Sequence, residues 1–471
     1  MRRLILTIAL LALTGCATLA PERERPAMPV PEAWTTHPGG TQGADVDALG
    51  WRDAFPDPAL QELIATALGQ NRSLRQAVLA MDKARAQFGI ARADRIPNVD
   101  ASGVNSNTRS PGDLRAGIEG IDRQWNVGLG ISSFELDFFG RVKSLEDSAL
   151  ESYLATEEAR RAAHISLVSQ VARGYLTLAG DREHLALARE TLESRQATLD
   201  LTLAQLAHGM STELARHQAE EVVAVAQAEV ARLTAQVAMD ENALAVLAGV
   251  PVSDMNLPAQ AINDVVLNTA VTPGLPSELL TRRPDILEAE HRLWAAGAEI
   301  GAARAAFFPR IGLTTTAGLA SLELTDLFDA SQRVWTFVPS VSLPIFDAGR
   351  NKANLDAAKA EQQIRIAQYE ETIQNAFREV SDALAKNQGY EGQVQAQTRR
   401  AASAEQSRLL VDQRFSAGLE SAFAVHDAER TLFTARQNLL DARLARKLAT
   451  VELFTALGGG WQENGLQASA Q

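Results

Sequence analysis

Val171, Leu178, Leu185, Leu192, Leu199 and Leu206 recur at every seventh position in a stretch without proline between Gly140-Arg141 and Pro251. Apolar residues at sevens make the seam of a coiled coil, which predicts a helix from Arg141 to about Ala207. Gly209 interrupts the pattern, and a return helix is expected from about Thr212 to Leu247. The layout then recurs: a helix from Arg350 to about Ser416, a break at Gly418, and a return helix to about Leu457. The second seam is less regular, with Asn387 and Arg408 at seam positions. Ahead of each long helix the period changes from helical to alternating. Residues 98–107 and 125–137 read as one strand pair. In the second pair Ile311, Leu313, Thr315, Ala317 and Leu319 share a face of one strand, and Phe337, Val341 and Leu343 share a face of the next. Each run is close to the nine to eleven residues of a tilted membrane strand. Periodicity alone equally allows a half-buried soluble hairpin. Trp125 and Trp335 stand at equivalent positions opening the second strand of each pair, where an interfacial aromatic belt would place them. Asp57-Pro58 has the chemistry of a helix start, and that helix is expected to run to about Arg95.

The pattern is a duplication. Gly140 and Gly349, Gly209 and Gly418, and Gly249 and Gly458 are each separated by 209 residues. Such an offset leaves almost no room for insertions, and a repeat must be recognised before an architecture is assigned. One helix of about 67 residues spans about 100 Å. The shorter helices 58–95 and 212–247, end to end, approximately match it, so each repeat can present a two-stranded antiparallel rod. Aromatic residues make up only 5% of the chain, which suits knobs-into-holes packing better than a conventional globular core.

The N terminus changes the setting. Arg2-Arg3, an apolar run from Leu4 to Leu13 and Thr14-Gly15-Cys16 form a secretory signal, too short to span a bilayer. Leu13-x-Gly15-Cys16 resembles a lipoprotein lipobox, with Cys16 as the acylated residue and Ala17 favouring outer-membrane sorting. Cys16 is the sole cysteine, which excludes disulfides. The formal net charge is −13, and removing Arg2 and Arg3 with the signal takes it to −15. An acidic chain is a poor partner for nucleic acid and suits a pore that concentrates cations. No later segment is a continuous apolar helix of spanning length, so any membrane passage falls to strands. The resulting division is a signal (1–15), a lipid anchor and extended proline-rich linker (16–50), a first repeat (51–250), an irregular linker (251–280), a second repeat (281–461) and a polar tail (462–471).

Two strand pairs give four strands, which cannot close on themselves, and open edges are not tolerated in hydrocarbon. A barrel must therefore be shared among copies. A trimer would supply twelve strands, enough for a water-filled lumen, although the residues alone do not choose three over two.

Leu275-Pro276-Ser277-Glu278-Leu279-Leu280-x-Arg282-Arg283-Pro284-Asp285-Ile286, with Ala289-Glu290 and Gly301-Ala302-Ala303-Arg304 to Phe308-Pro309, resembles the signature of the TolC-type outer-membrane efflux family. The lipobox and the Trp51 to Pro58 segment resemble its lipoprotein branch. The likeness runs from about Trp51 to Trp461. It implies a mainly α chain whose duplicated repeats place four strands in a homotrimeric twelve-stranded barrel above an α-helical coiled-coil barrel. It also implies a periplasmic adaptor, an inner-membrane pump of the resistance-nodulation-division class and outer-membrane lipid as partners. By the same resemblance Phe423, Asp427 and Arg430 line a periplasmic gate; the usual residue at the first position is aliphatic, and His426 is an added titratable group. Three copies of Asp427 around an axis would repel one another and attract cations. Gln218 and Glu221 hold the equivalent places in the first repeat, so the gate would be asymmetric. A solvated Asp–Arg pair on an exposed turn is the plainer alternative, and helix capping is the plainer reading of Pro284 and Asp285.

Candidate chemistry is otherwise sparse. There is no phosphate-binding loop, no nucleophile elbow, and no metal-type spacing among the seven histidines. No catalytic residue, metal or cofactor is expected beyond the lipid on Cys16, and transport energy has to come from a partner. The expected function is a passive export duct for drugs, toxic compounds or metals. The alternatives are the exit duct of a type I protein secretion system and a non-conducting coiled-coil lipoprotein.

Overall fold

Gly140 and Gly349 hold left-handed backbone, with φ of +72° and +86°, and each turns the chain out of a strand into a helix of 67 residues. In a computed structural model these helices are α4 (Arg141–Ala207) and α8 (Arg350–Ser416). The structure describes residues 18–31, 34, 50–110, 120–255, 257, 261–268, 279–417 and 419–461. Cys16, Gly418, the signal, the tail and Leu275 to Glu278 lie outside them. In chain order the remaining elements are α1 (Trp51–Ala54), α2 (Pro58–Gln70), α3 (Arg72–Ala93), β1 (Asp100–Ser110), β2 (Gly120–Leu136), α5 (Glu213–Ala248), α6 (Leu279–Arg282), α7 (Pro284–Ala305), β3 (Arg310–Ser321), β4 (Arg333–Ser342) and α9 (Ala422–Ala456). The return helices start where their caps dictate. Thr212 and Ser421 each accept a backbone N–H three residues on, from Ala215 and Ala424.

Two compact units divide the chain. One holds residues 80–157 and 288–370 with the N-terminal segment to Ala27, and it contains the sheet, an antiparallel array in the order β1-β2-β3-β4. The strands differ somewhat from expectation. β2 begins at Gly120, so Trp125 is its sixth residue and not its first, and β4 ends at Ser342, before Leu343 to Phe346. A bulge between Ile131 and Phe134 sets Ser133 at φ +56°. Strict alternation would send Phe134 and Leu136 to the opposite face from Val127, Leu129 and Ile131. The extra residue restores the phase, so Phe134 faces Leu313, and Leu136 faces Ile311.

The other unit holds residues 28–79, 158–287 and 371–471. Its α4–α5 seam is the one the heptads predict. Leu185 and Ala188 pack against Leu233, and Leu199 packs against Ala219 and Val223 with Leu192 beside them. Asn387, the polar seam residue of α8, donates its amide to the Ala449 carbonyl on α9 at 3.1 Å, which fixes the register of that pair. The expected single helix 58–95 is instead two helices, broken at Asn71 with ψ of 129°. The Asn71 amide donates to Leu247 O at 2.9 Å, and its Oδ1 accepts Leu74 N–H at 2.9 Å. Tertiary bonding overrides local periodicity there. Asp57 caps α2 by accepting the Ala59 and Leu60 N–H groups, and the fully buried Tyr175 donates its hydroxyl to the same oxygen at 3.2 Å.

Candidate functional site

The sheet has two chemically distinct faces. Residues directly opposite one another share a face, and the register aligns Trp125, Val127, Leu129 and Ile131 of β2 with Leu319, Ala317 and Thr315 of β3 and with Trp335 and Phe337 of β4. Val341 continues that face opposite Ile311. The other face carries Ser106, Gln124, Asn126, Thr314, Thr316, Thr336 and Ser340. Thr316 and Thr336 hydrogen-bond hydroxyl to hydroxyl across it. Leu129, Phe337 and Val341 are exposed, and Trp335 is 75% exposed. An apolar face left open on strands of ten to seventeen residues is the pattern of strands turned toward lipid. Trp125 and Trp335 both lie on that face, but they oppose Ser321 and Ala317, four positions apart along β3. β1 and β4 pair on one side only, leaving two free edges.

The second candidate surface is the start of α9. Phe423 is 74% exposed, and Arg430 Nη2 donates to Asp427 Oδ1 at 2.5 Å, both side chains being exposed. The three residues gather on one open helix face, as their spacing requires. His426 turns away, with Nδ1 3.9 Å from Glu429 Oε2. Glu429 faces Arg195 of α4 and Arg408 of α8; burial pushes its carboxyl up, while His426 and the two arginines draw it back. On the equivalent turn of the first repeat, Arg216 bridges Glu213 at 2.6 Å and Glu220 at 2.5 Å.

One acidic group on α5, Asp240, titrates in an accessible range. Burial first, then a shared hydrogen bond with Asp181, push Asp240 up to about 6. The folded chain therefore takes up a proton that the unfolded chain, with an ordinary aspartate near 4, does not hold between about pH 4 and 6. The stabilisation is complete at the acid end and is lost as pH rises through about 6. Asp240→Asn should raise the melting temperature at pH 7.5, by about half as much at pH 5, and leave it nearly unchanged below about pH 4, as read by circular dichroism.

No group of His, Cys, Asp and Glu suited to a metal ion occurs among the described residues. What the residues do offer is an amphipathic sheet with free edges and two 67-residue helices, each made by one half of a duplicated chain. The family model described as outer membrane efflux protein matches the chain twice, over residues 63–250 and 275–459, once in each repeat. The chain belongs to the outer membrane efflux protein family. It is 45% identical over 457 residues to the cation efflux system protein CusC of Escherichia coli, covering 96% of this chain and 97% of that one. It is 43% identical over 479 residues to the toluene efflux pump outer membrane protein TtgC of Pseudomonas putida, covering 100% and 98%. The open-state outer membrane channel MtrE of Neisseria gonorrhoeae superposes with a TM-score of 0.87 at 38% identity, over 95% of this chain and 99% of that one. As a family member this chain is an outer-membrane efflux channel protein.

Sequence reasoning missed one constellation. The segment read as an extended linker is, over residues 18–27, strapped onto α4 and α7 by Arg23 and Arg25, which pair with the buried Glu151 and Glu290. The signal was present in Ala289-Glu290 and Gly301 to Arg304, which were legible as a family signature without a physical reason.

Proposed function

We propose that three copies of this chain form the outer-membrane duct of a tripartite pump of the resistance-nodulation-division class, completed by a periplasmic adaptor and an inner-membrane transporter. The free edges of β1 and β4 carry this reading. Each carries a row of unpaired N–H and C=O groups, and in hydrocarbon each must find a strand from another copy. A cyclic trimer joins β4 of one copy to β1 of the next and closes twelve strands around the polar face. The apolar face then meets lipid, with Trp125 and Trp335 near its interfaces and an acyl chain on Cys16 as a second anchor.

The duct is passive and unselective. CusC and TtgC, named for cations and for toluene, resemble this chain almost equally along its whole length, so the choice of substrate falls to the pump. Their names as efflux components favour small-molecule export over protein secretion. Phe423, Asp427 and Arg430 form the periplasmic gate, the Asp427–Arg430 pair holding the start of α9 in place until an adaptor moves it. Asp427→Ala with Arg430→Ala should raise single-channel conductance in planar bilayers several-fold. A double variant that conducts like the parent removes these residues from the gate.

A further inference from the structure

We infer that the N-terminal strap, residues 18–27, is a clasp that locks together the helical bases of the two central strands, through Glu151 on α4 and Glu290 on α7. β2 enters α4 through a short turn, and α7 leaves for β3 through another, so a segment bridging α4 and α7 controls the stem of the β2–β3 pair. The strap touches both. Thr18 Oγ1 lies 3.1 Å from Ser144 Oγ on α4, and Arg304 of α7 donates to the Leu19 carbonyl at 2.8 Å. Gly301 lets the strap seat against α7, because a Cβ there would lie 2.8 Å from Ala20 N and 3.0 Å from Ala20 Cα.

The clasp itself is electrostatic. Glu151 is 2% exposed, and its two oxygens are each bound at 2.7 Å, one by Arg23 Nη2 and one by His291 Nδ1. Glu290 is 5% exposed and takes a bidentate contact from Arg25, at 2.5 and 3.2 Å. Arg23 also lies over the Trp294 ring at 5.9 Å. Burial alone would push the Glu151 carboxyl up, yet the bonds from His291 and Arg23 hold it below the ordinary carboxylate range. Removing the strap strips each buried carboxylate of its arginine. The strap is therefore part of the folded stem and not a tether.

Trypsin reads the clasp directly in the native, detergent-extracted protein, because it cuts after Arg23 but not at Arg25-Pro26. Glu151→Gln with Glu290→Gln keeps the side-chain shapes, and cleavage after Arg23 should become about 5-fold faster or more, a scale that allows for Arg23 and Arg25 being 57% and 53% exposed while their carboxylate partners are buried. Gly301→Val should open the strap by steric pressure without touching a charge. Both variants should also lower the temperature at which the oligomer dissociates in SDS. This last arm rests on the assembled-barrel reading, and a parent that never shows an oligomer would count against that reading and not against the clasp. Cleavage at the parental rate in both variants, or a freed strap with an unmoved dissociation temperature, overturns the clasp.

Discussion

Gly318→Val should abolish the heat-resistant oligomer on SDS gels. Gly318 and Gly128 face each other on β3 and β2, and the two backbones approach closely there. A Cβ on Gly318 would stand 2.2 Å from the Val127 carbonyl oxygen and 2.6 Å from Gly128 Cα. Neither obstacle can rotate away, since both are backbone atoms inside a paired ladder. Overpacking of side chains in a core costs about 1–3 kcal/mol, and a clash between backbones at a strand pair should exceed that range. The strands would have to separate locally, breaking the ladder in the middle of the sheet. Gly103→Ala on β1 is the control, because a Cβ there meets only the Val127 side chain at 3.8 Å. The expected result is an oligomer band for the control and none for Gly318→Val. Equal dissociation temperatures for the two would show that the close approach does not matter.

The second large effect is expected at Arg283. Its guanidinium donates to Ala456 O at 2.8 Å, to Glu379 at 2.8 Å and to both oxygens of Asp285 at 3.0 and 2.6 Å. One buried group thus joins the start of α7, the body of α8 and the end of α9. Removing one partner of a fully buried ion pair costs about 3–5 kcal/mol. Asp285 and Glu379 are 39% and 47% exposed, so Arg283→Ala belongs near the lower end, at about 3 kcal/mol. Lysine keeps the charge but cannot reproduce the fork, so Arg283→Lys should recover only part of the loss. Urea denaturation followed by circular dichroism measures both. A loss below about 1 kcal/mol for Arg283→Ala would place the stability of that junction elsewhere.

These examples also mark what could be read from the sequence. The long helices were legible because glycine breaks and Ser or Thr caps are local chemistry, and the heptads of α4 name the residues that α5 covers. The break at Asn71 was not legible, since apolar positions at Leu60, Leu63, Ile64, Ala67 and Leu74 continue a helical pattern through it. Its cause is a carbonyl 176 positions away. The bulge left a trace, in that Ile131 and Phe134 are three apart where alternation needs two or four. Arg23 and Arg25 looked like part of a flexible linker because their partners sit on distant helices. For Arg283, capping explained Pro284 and Asp285 but not why a buried arginine precedes them. Phe423, Asp427 and Arg430 were legible as one helix face from spacing alone, whereas what their copies would meet in an assembly is not written in a single chain.

The shared barrel is tested most directly by the mass of the particle extracted in detergent, measured by native mass spectrometry. Three chains per particle are predicted, each contributing four strands. A single chain that keeps its β-sheet signal would contradict the account, because it would show that the edges of β1 and β4 need no partner.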